Sequence, residues 1–462
     1  MDKYDNISPL DFRYYSSEEV FSRLSPYLSE RAFVNYQLKV ELSLIKALSK
    51  KKICGSKAAK EAEAAIKKVK VEDIYEEDKK IKHYTKSVVN LIRKNVSDES
   101  KPFIHLTATS FDIFDTANAL RFKDATKKAI LPELLNLEKN LIKIAIREKN
   151  TLQIGRTHGQ HAVPITFGFA LSEYVSRIGY SIKKIKEASD NVVGKFSGAV
   201  GAYNASSLFF GNPEEFEFLV LKELGLKPAT HSTQIVEPEF NLDLIHSIIS
   251  AFGVLANLAD DMRHLQRSEI NEIAEEFEKE QVGSSTMPHK RNPWNFENVK
   301  SMWKEFMPRI TTIYMDQISE HQRDLTNSAS QRFMPEIFAG FLDSILRLNK
   351  LLNKLIVNKE CMRKNFEMSK DMIIAEPLYI LLSYYRHPNA HEEIRKLTLE
   401  SQQRKIPLKE LVFKDDNLKR YLSKFNKKQI EIIKNPERYT GIAAKKAEKV
   451  CRYWEKELSS LA

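Results

Sequence analysis

The stretch GSSTMPHKRNP, Gly283 to Pro293, holds one glycine, two serines, a threonine, two prolines and four larger polar or charged residues around a single methionine. Proline removes backbone donors, and glycine, serine and asparagine favour turns, so the segment cannot be a core helix or a regular strand. Helical periodicity runs on both sides of it. It therefore reads as a polar, cationic, mobile loop between helices, with two hydroxyls directly after a glycine.

Outward from that loop, apolar residues step by threes and fours. They fall at Leu134, Leu137, Leu141 and Ile144; at Ile245, Ile248, Phe252, Leu255, Ala259 and Met262; at Phe296, Val299, Trp303, Phe306, Ile310 and Ile313; and at Phe338, Phe341, Ile345, Leu348, Leu352 and Leu355. Such spacing over several heptads predicts long helices packed nearly parallel, as in a bundle. With only 14 glycines and almost no alternating strand pattern, the expected class is all-α. The expected domains are an N-terminal helical domain (1–111), a central long-helix bundle (112–364) and a C-terminal helical domain (365–462), where Pro377, Pro388, Pro407 and Pro436 shorten the pattern.

At 462 residues the chain exceeds what one core sustains, and 42% apolar with 29% charged residues is ordinary for a globular protein. No run approaches the roughly 18 uninterrupted apolar residues of a membrane span, and MDKYDNISPLDFRYY lacks the apolar core of a signal peptide, so the expected location is cytoplasmic, without a membrane partner. Cys54, Cys361 and Cys451 are odd in number and lack CxxC spacing, which favours reduced thiols over a disulfide framework or a metal site. The net charge, 73 minus 62 or +11, permits contact with nucleic acid, an anionic membrane surface or small anionic substrates, and does not by itself choose among them. Lysines interleave with glutamates, as in KKAEKVCRYWEKE, and no basic stripe carries stacking aromatics, so no nucleic-acid partner is expected. Without GxGxxG or GxxxxGK[ST], no dinucleotide or P-loop cofactor is expected either.

Four polar islands interrupt the helices, each expected at a helix boundary. HLTATSFDIFDTANAL (105–120) offers Thr109 and Ser110 as N-cap hydroxyls ahead of Asp112 and Asp115. GRTHGQHAVPITFG (155–168) sets Arg156, His158 and His161 within six residues, which packing alone does not select. The third island is the opening loop, with Ser284, His289, Lys290, Arg291 and Asn292, and the fourth is QRDLTNSASQR (322–332), where Arg323 and Arg332 bracket hydroxyls and an amide. Four clusters rich in anion-binding donors point to a substrate with several negative charges, bound where helix ends converge. Oligomerisation would bring such distant ends together.

GSSTMPHKRNP resembles the GSSxMPxKxNP signature of the fumarase/aspartase superfamily. RTHGQHAVPITFG, the TS-x-D-x-x-DTA pattern at 109–117, HKRNPWNFEN, QRDLTNSA, AEPLY and NPERYTG are similar to its adenylosuccinate lyase branch, so the resemblance covers nearly the whole chain. The resemblance implies three helical domains, a homotetramer with active sites shared between subunits, no cofactor, and a nucleotide substrate. It implies β-elimination of fumarate from adenylosuccinate, giving AMP, and from succinylaminoimidazole carboxamide ribotide, in purine biosynthesis. His158 matches the general acid, Ser284 the general base, and Glu297 the carboxylate that orients the acid. Lys290, Asn292 and Thr109, with Ser110, match residues on the succinyl carboxylates or the aci form. Arg13, Tyr14, Arg323, Ser328 and Arg332 match the phosphate-bearing end, and Gln234 and Asn298 further substrate contacts. The segment KHYTKS departs from the usual His-Asp-Val: His83 keeps the histidine, but Tyr84 stands where aspartate is expected, which leaves the orientation of His83 open. The alternatives are a sister lyase of the argininosuccinate, aspartase or fumarase type, disfavoured by Arg13, Arg323 and Arg332, and a non-catalytic helical scaffold, disfavoured by the retained Ser284, His158 and Lys290.

Overall fold

The computed structural model describes residue 5 and residues 7–14, 18–278 and 280–460. Among these the chain forms twenty α-helices and three two-stranded β pairs, which bears out the all-α class. The apolar series lie on helices Leu131–Arg147, Glu239–Leu265, Trp294–Phe306 and Ser328–Asn353, with Leu355 just past the end of the last. The third series is split, because Pro308 starts a separate helix, Arg309–Met315. Every member of the series is buried except Trp303, which is half-buried. Helix Glu239–Leu265 is long and apolar enough to cross a membrane by length and composition, yet 61% of its most apolar window is buried inside the fold. It is a core helix whose run Asp243 and His246 interrupt.

By proximity the chain sorts into two compact units of three segments each: residues 1–135, 181–253 and 301–346, and residues 136–180, 254–300 and 347–462. In the first unit Phe122 stacks on Phe338 with ring centroids 5.5 Å apart, and Phe252 packs on Phe341 at 5.3 Å. Gly340 is required there, since a Cβ would lie 2.2 Å from the Phe306 ring. In the second unit Leu152–Thr157 and Gln160–Thr166 pair as an antiparallel hairpin, and Ile273–Ala274 pairs with Ile356–Val357. Residues between 374 and 433 pack around Leu378, Leu382, Ile394, Leu408, Val412 and Leu418.

Within the stripe of Leu134, Leu137 and Leu141 sits Glu138, fully buried, with neither carboxyl oxygen hydrogen-bonded among the described residues. Burial pushes its pKa up to about 9, so it is neutral at pH 7. Cys451, near enough to feel that carboxyl, is itself pushed up to about 11, first by burial and then by Glu138. Below the unfolded value near 4.3 both states hold the proton and the cost is absent; as pH rises toward 9 only the unfolded chain ionises, so the folded state loses about 1.4 kcal/mol per unit. Glu138→Met is therefore expected to stabilise the protein by roughly 3–4 kcal/mol at pH 7. The gain should grow between pH 5 and 9 and then level off, as read by thermal unfolding across that range. A variant equal to wild type throughout contradicts the buried neutral carboxyl.

Candidate active site

The first unit carries one set of the residues singled out above. Thr109 is the N-cap of helix Ser110–Ala125, as expected, and its N–H donates to Asp112 Oδ2 at 2.8 Å. Asp112 and Asp115 of that helix are buried. Asp112 pairs with Lys195, both side chains fully buried, and the Lys195 ammonium also donates to the Gly198 carbonyl at 3.1 Å. Asp115 accepts the Val236 N–H at 2.9 Å. Burial raises its pKa, Val236, Lys195 and Arg323 act against that rise, and it settles at about 6. Asp115 thus anchors the segment bearing Gln234, whose own N–H bonds the Gln322 carbonyl at 3.1 Å. A cleft is lined by Asp115, Asn241, Asp316, Arg323, Asn327 and Gln331. Arg323 stands at φ 138° and His321 at φ 40°, conformations that non-glycine residues rarely hold and that recur at functional sites.

Further along this unit, Arg332 is exposed and bonds the Ser328 carbonyl at 2.7 Å. Arg13 is exposed and Tyr14 half-buried. His83 is held after all: it is the N-cap of helix Tyr84–Lys94, its Nδ1 accepting the Lys86 N–H at 3.3 Å. Tyr84 lies against Tyr75 and Phe114 and donates to Glu30 at 3.2 Å. A ring packed among aromatics thus stands where a carboxylate was expected.

The second unit carries the other set. The island around His158 leads into helix Phe167–Asp190 as expected, but most of it is the hairpin, whose two-residue turn is His158 at φ 55° and Gly159 at φ 73°. Both positions require positive φ in this kind of turn, which leaves His158 exposed at the tip. Arg156 does not present a free guanidinium: it donates to the fully buried Glu272 at 2.6 Å, which also accepts from Gln153 at 2.8 Å and Asn365 at 2.9 Å. His161 Nδ1 meets Ser369 Oγ at 2.7 Å, and burial followed by Arg156 lowers its pKa.

In the signature loop, Ser284 Oγ accepts backbone N–H groups from Thr286 at 3.3 Å and Met287 at 3.1 Å. Gly283 permits a close approach, because a Cβ would lie 2.0 Å from the Lys290 carbonyl. Asn292 Nδ2 closes the loop on the Gly283 carbonyl at 3.0 Å. Ser285 and Lys290 are exposed, and Glu297 is exposed on helix Trp294–Phe306. Asn298 Oδ1 on that helix is buried with no partner among the described residues.

A family model described as "Lyase" matches residues 17–307, and one described as "Adenylosuccinate lyase C-terminal" matches residues 319–440. The adenylosuccinate lyase of Pyrococcus abyssi is 34% identical over 97% of this chain and 98% of its own, and that of Archaeoglobus fulgidus 31% identical over 97% and 98%. The chain belongs to the adenylosuccinate lyase family. It is a lyase of the fumarase/aspartase superfamily, similar also to an N-acetyl-S-(2-succino)cysteine lyase of Enterococcus italicus, at 29% identity over 92% of this chain and 93% of that one. Among solved structures, 3-carboxy-cis,cis-muconate lactonizing enzyme from Pseudomonas putida matches with a TM-score of 0.81 at 20% identity over 94% of this chain and 97% of that one, a likeness of fold.

In this member of the adenylosuccinate lyase family, the sequence pattern does not single out Glu41, His105, Lys195, Glu272 and Glu275. His105 stands in the quoted first island, at φ 65°, and its Nδ1 lies 2.6 Å from buried Glu41. Burial opposes its charge, but Glu41 and Asp112 outweigh that and raise its pKa. Lysine and glutamate are common, so nothing local marks those that end up paired inside the protein. The Asp112–Lys195 pair is expected to be costly to break from one side: Lys195→Met should lose about 3–5 kcal/mol in denaturant unfolding, since it strands a buried carboxylate. Adding Asp112→Asn should recover part of the loss. A single variant as stable as wild type contradicts the pair.

Proposed function

We propose that the protein cleaves adenylosuccinate to AMP and fumarate, and the succinylaminoimidazole carboxamide ribotide to its carboxamide and fumarate. The observation that carries the mechanism is the Ser284 hydroxyl facing two backbone N–H groups at the head of the signature loop. Serine is a weak base in water, but an alkoxide is stabilised by oriented donors and a nearby cation in a water-poor setting. Ser284 takes the proton from the carbon beside the succinyl carboxylate, the electron pair forms the fumarate double bond, the carbon–nitrogen bond breaks, and His158 protonates the departing nitrogen. Lys290 supplies positive charge to the alkoxide and to the aci-carboxylate, with Asn292, Thr109 and Ser110 on the succinyl carboxylates. Glu297 orients His158.

The nucleotide end falls to Arg13, Tyr14, Arg323, Ser328 and Arg332, with His83, Tyr84, Gln234 and Asn298 as further contacts. Charged, forked arginines suit a phosphate. The division into 1–111, 112–364 and 365–462, a homotetramer with active sites shared between subunits, and a cytoplasmic location without nucleic-acid or membrane partners complete the proposal. Large exposed apolar side chains at Met315, Ile318, Leu325 and Phe333, flanking Arg323, support a further copy covering this stretch.

Incubating the purified protein with adenylosuccinate should release fumarate, which ultraviolet absorbance reads directly. Release from N-acetyl-S-(2-succino)cysteine in place of adenylosuccinate would overturn the substrate assignment. Ser284→Ala is expected to lower kcat by about a thousandfold or more while substrate binding stays within a few-fold, because it removes a base and no charge anchor. Loss of activity in Ser285→Ala with Ser284→Ala active would mean that the neighbouring serine is the base. For the assembly, His158→Ala and Ser284→Ala proteins, each inactive, are expected to regain part of the activity when dissociated and mixed. An inactive mixture after demonstrated subunit exchange would count against shared sites.

A further inference from the structure

Glu275 is buried just before the signature loop, at the end of strand Ile273–Ala274, and takes no part in the chemistry above. Its carboxylate reaches across the base of the loop. Oε1 accepts the backbone N–H groups of Asn295 at 3.0 Å and Phe296 at 2.9 Å, and Oε2 accepts Asn295 Nδ2 at 2.8 Å. The two backbone N–H groups are first-turn donors of helix Trp294–Phe306, unsatisfied within the helix itself and set at its positive end. On the outgoing side the Asn295 side chain is fixed in turn by Arg347, whose Nη1 donates to Asn295 Oδ1 at 2.9 Å. On the incoming side the Glu275 N–H donates to Gln266 Oε1 at 2.9 Å, and Gln266 Nε2 reaches the Arg291 carbonyl at 3.4 Å. Lys354 pairs with Glu276 at 3.0 Å and with Glu278 at 3.3 Å on the first limb of the loop.

We propose that Glu275 is a clasp, a positioning residue that closes the neck of the loop at 276–293 and ties the loop bearing Ser284, Lys290 and Asn292 to the helix bearing Glu297. The inference rests on the reading of Ser284 as the base. Three hydrogen bonds to one buried carboxylate fix both ends of a loop whose middle is exposed, so the loop moves from a rigid base rather than unravelling into the helix. The clasp positions the loop in the turnover step and makes no contact with substrate. Its loss is read in kcat and not in KM.

The test is Glu275→Gln in the full-length protein. Glutamine keeps the shape and one acceptor, removes the charge, and sets an amide donor against Asn295 Nδ2. With thermal unfolding close to wild type, kcat for fumarate release is expected to fall about tenfold or more with KM within about threefold. Trypsin, which needs no substrate, is expected to cut after Lys290 or Arg291 several-fold faster, by mass spectrometry. Asn295→Ala, which removes only the side-chain arm of the clasp, should shift both readouts the same way by less, and carries the test alone if Glu275→Gln does not fold. Unchanged trypsin cleavage in the folded variants overturns the clasp. Faster cleavage with unchanged kcat overturns its role in positioning. A wild-type protein that releases no fumarate sinks the functional reading instead, while the cleavage rates still decide the clasp.

Discussion

Burying the apolar stripes of helices such as Glu239–Leu265 and Ser328–Asn353 confines polar chemistry to the places where helices stop or turn. A helix packed along its length satisfies its own backbone and leaves donors free only at its ends. Thr109 at the start of Ser110–Ala125, His83 at the start of Tyr84–Lys94, and Glu297 in the first turn of Trp294–Phe306 all sit at such ends. His158 obeys the same constraint through a hairpin turn.

Holding those ends in place requires buried charge, and each buried charge has a definite partner set. Asp112 is met by Lys195 and by the Thr109 N–H, Glu272 by Arg156, Gln153 and Asn365, and Glu275 by three donors from Asn295 and Phe296. A buried ion pair adds little net stability over apolar packing, but removing one partner is severe. Such pairs act as locks on geometry. Glu138 shows the opposite case: a carboxyl buried without a hydrogen-bond partner among the described residues gives up its charge, with its pKa raised to about 9.

The proposed chemistry follows from the same economy of donors. Ser284 needs its hydroxyl made acidic, and the two N–H groups of Thr286 and Met287 offer that without adding a residue to the site. Gly283 lets the chain double back against the Lys290 carbonyl, which is how the loop sets those N–H groups under the serine.

The sequence by itself determined the helical class, the apolar faces and the four polar islands. Periodicity and turn chemistry are local, and the motifs GSSTMPHKRNP and RTHGQH are contiguous. It could not show that RTHGQH is a hairpin tip, because a short apolar and polar mixture beside a long helix reads equally as the approach to that helix. Nor could it tell the lock residues from surface ones. Asp112 and Lys195 are 83 positions apart, Gln153 and Glu272 119 apart, and Glu275 and Asn295 20 apart. Only the folded chain brings such groups together, because burial and pairing of a charge depend on what surrounds it in space, while the residue itself is the same lysine or glutamate that elsewhere on this chain faces water.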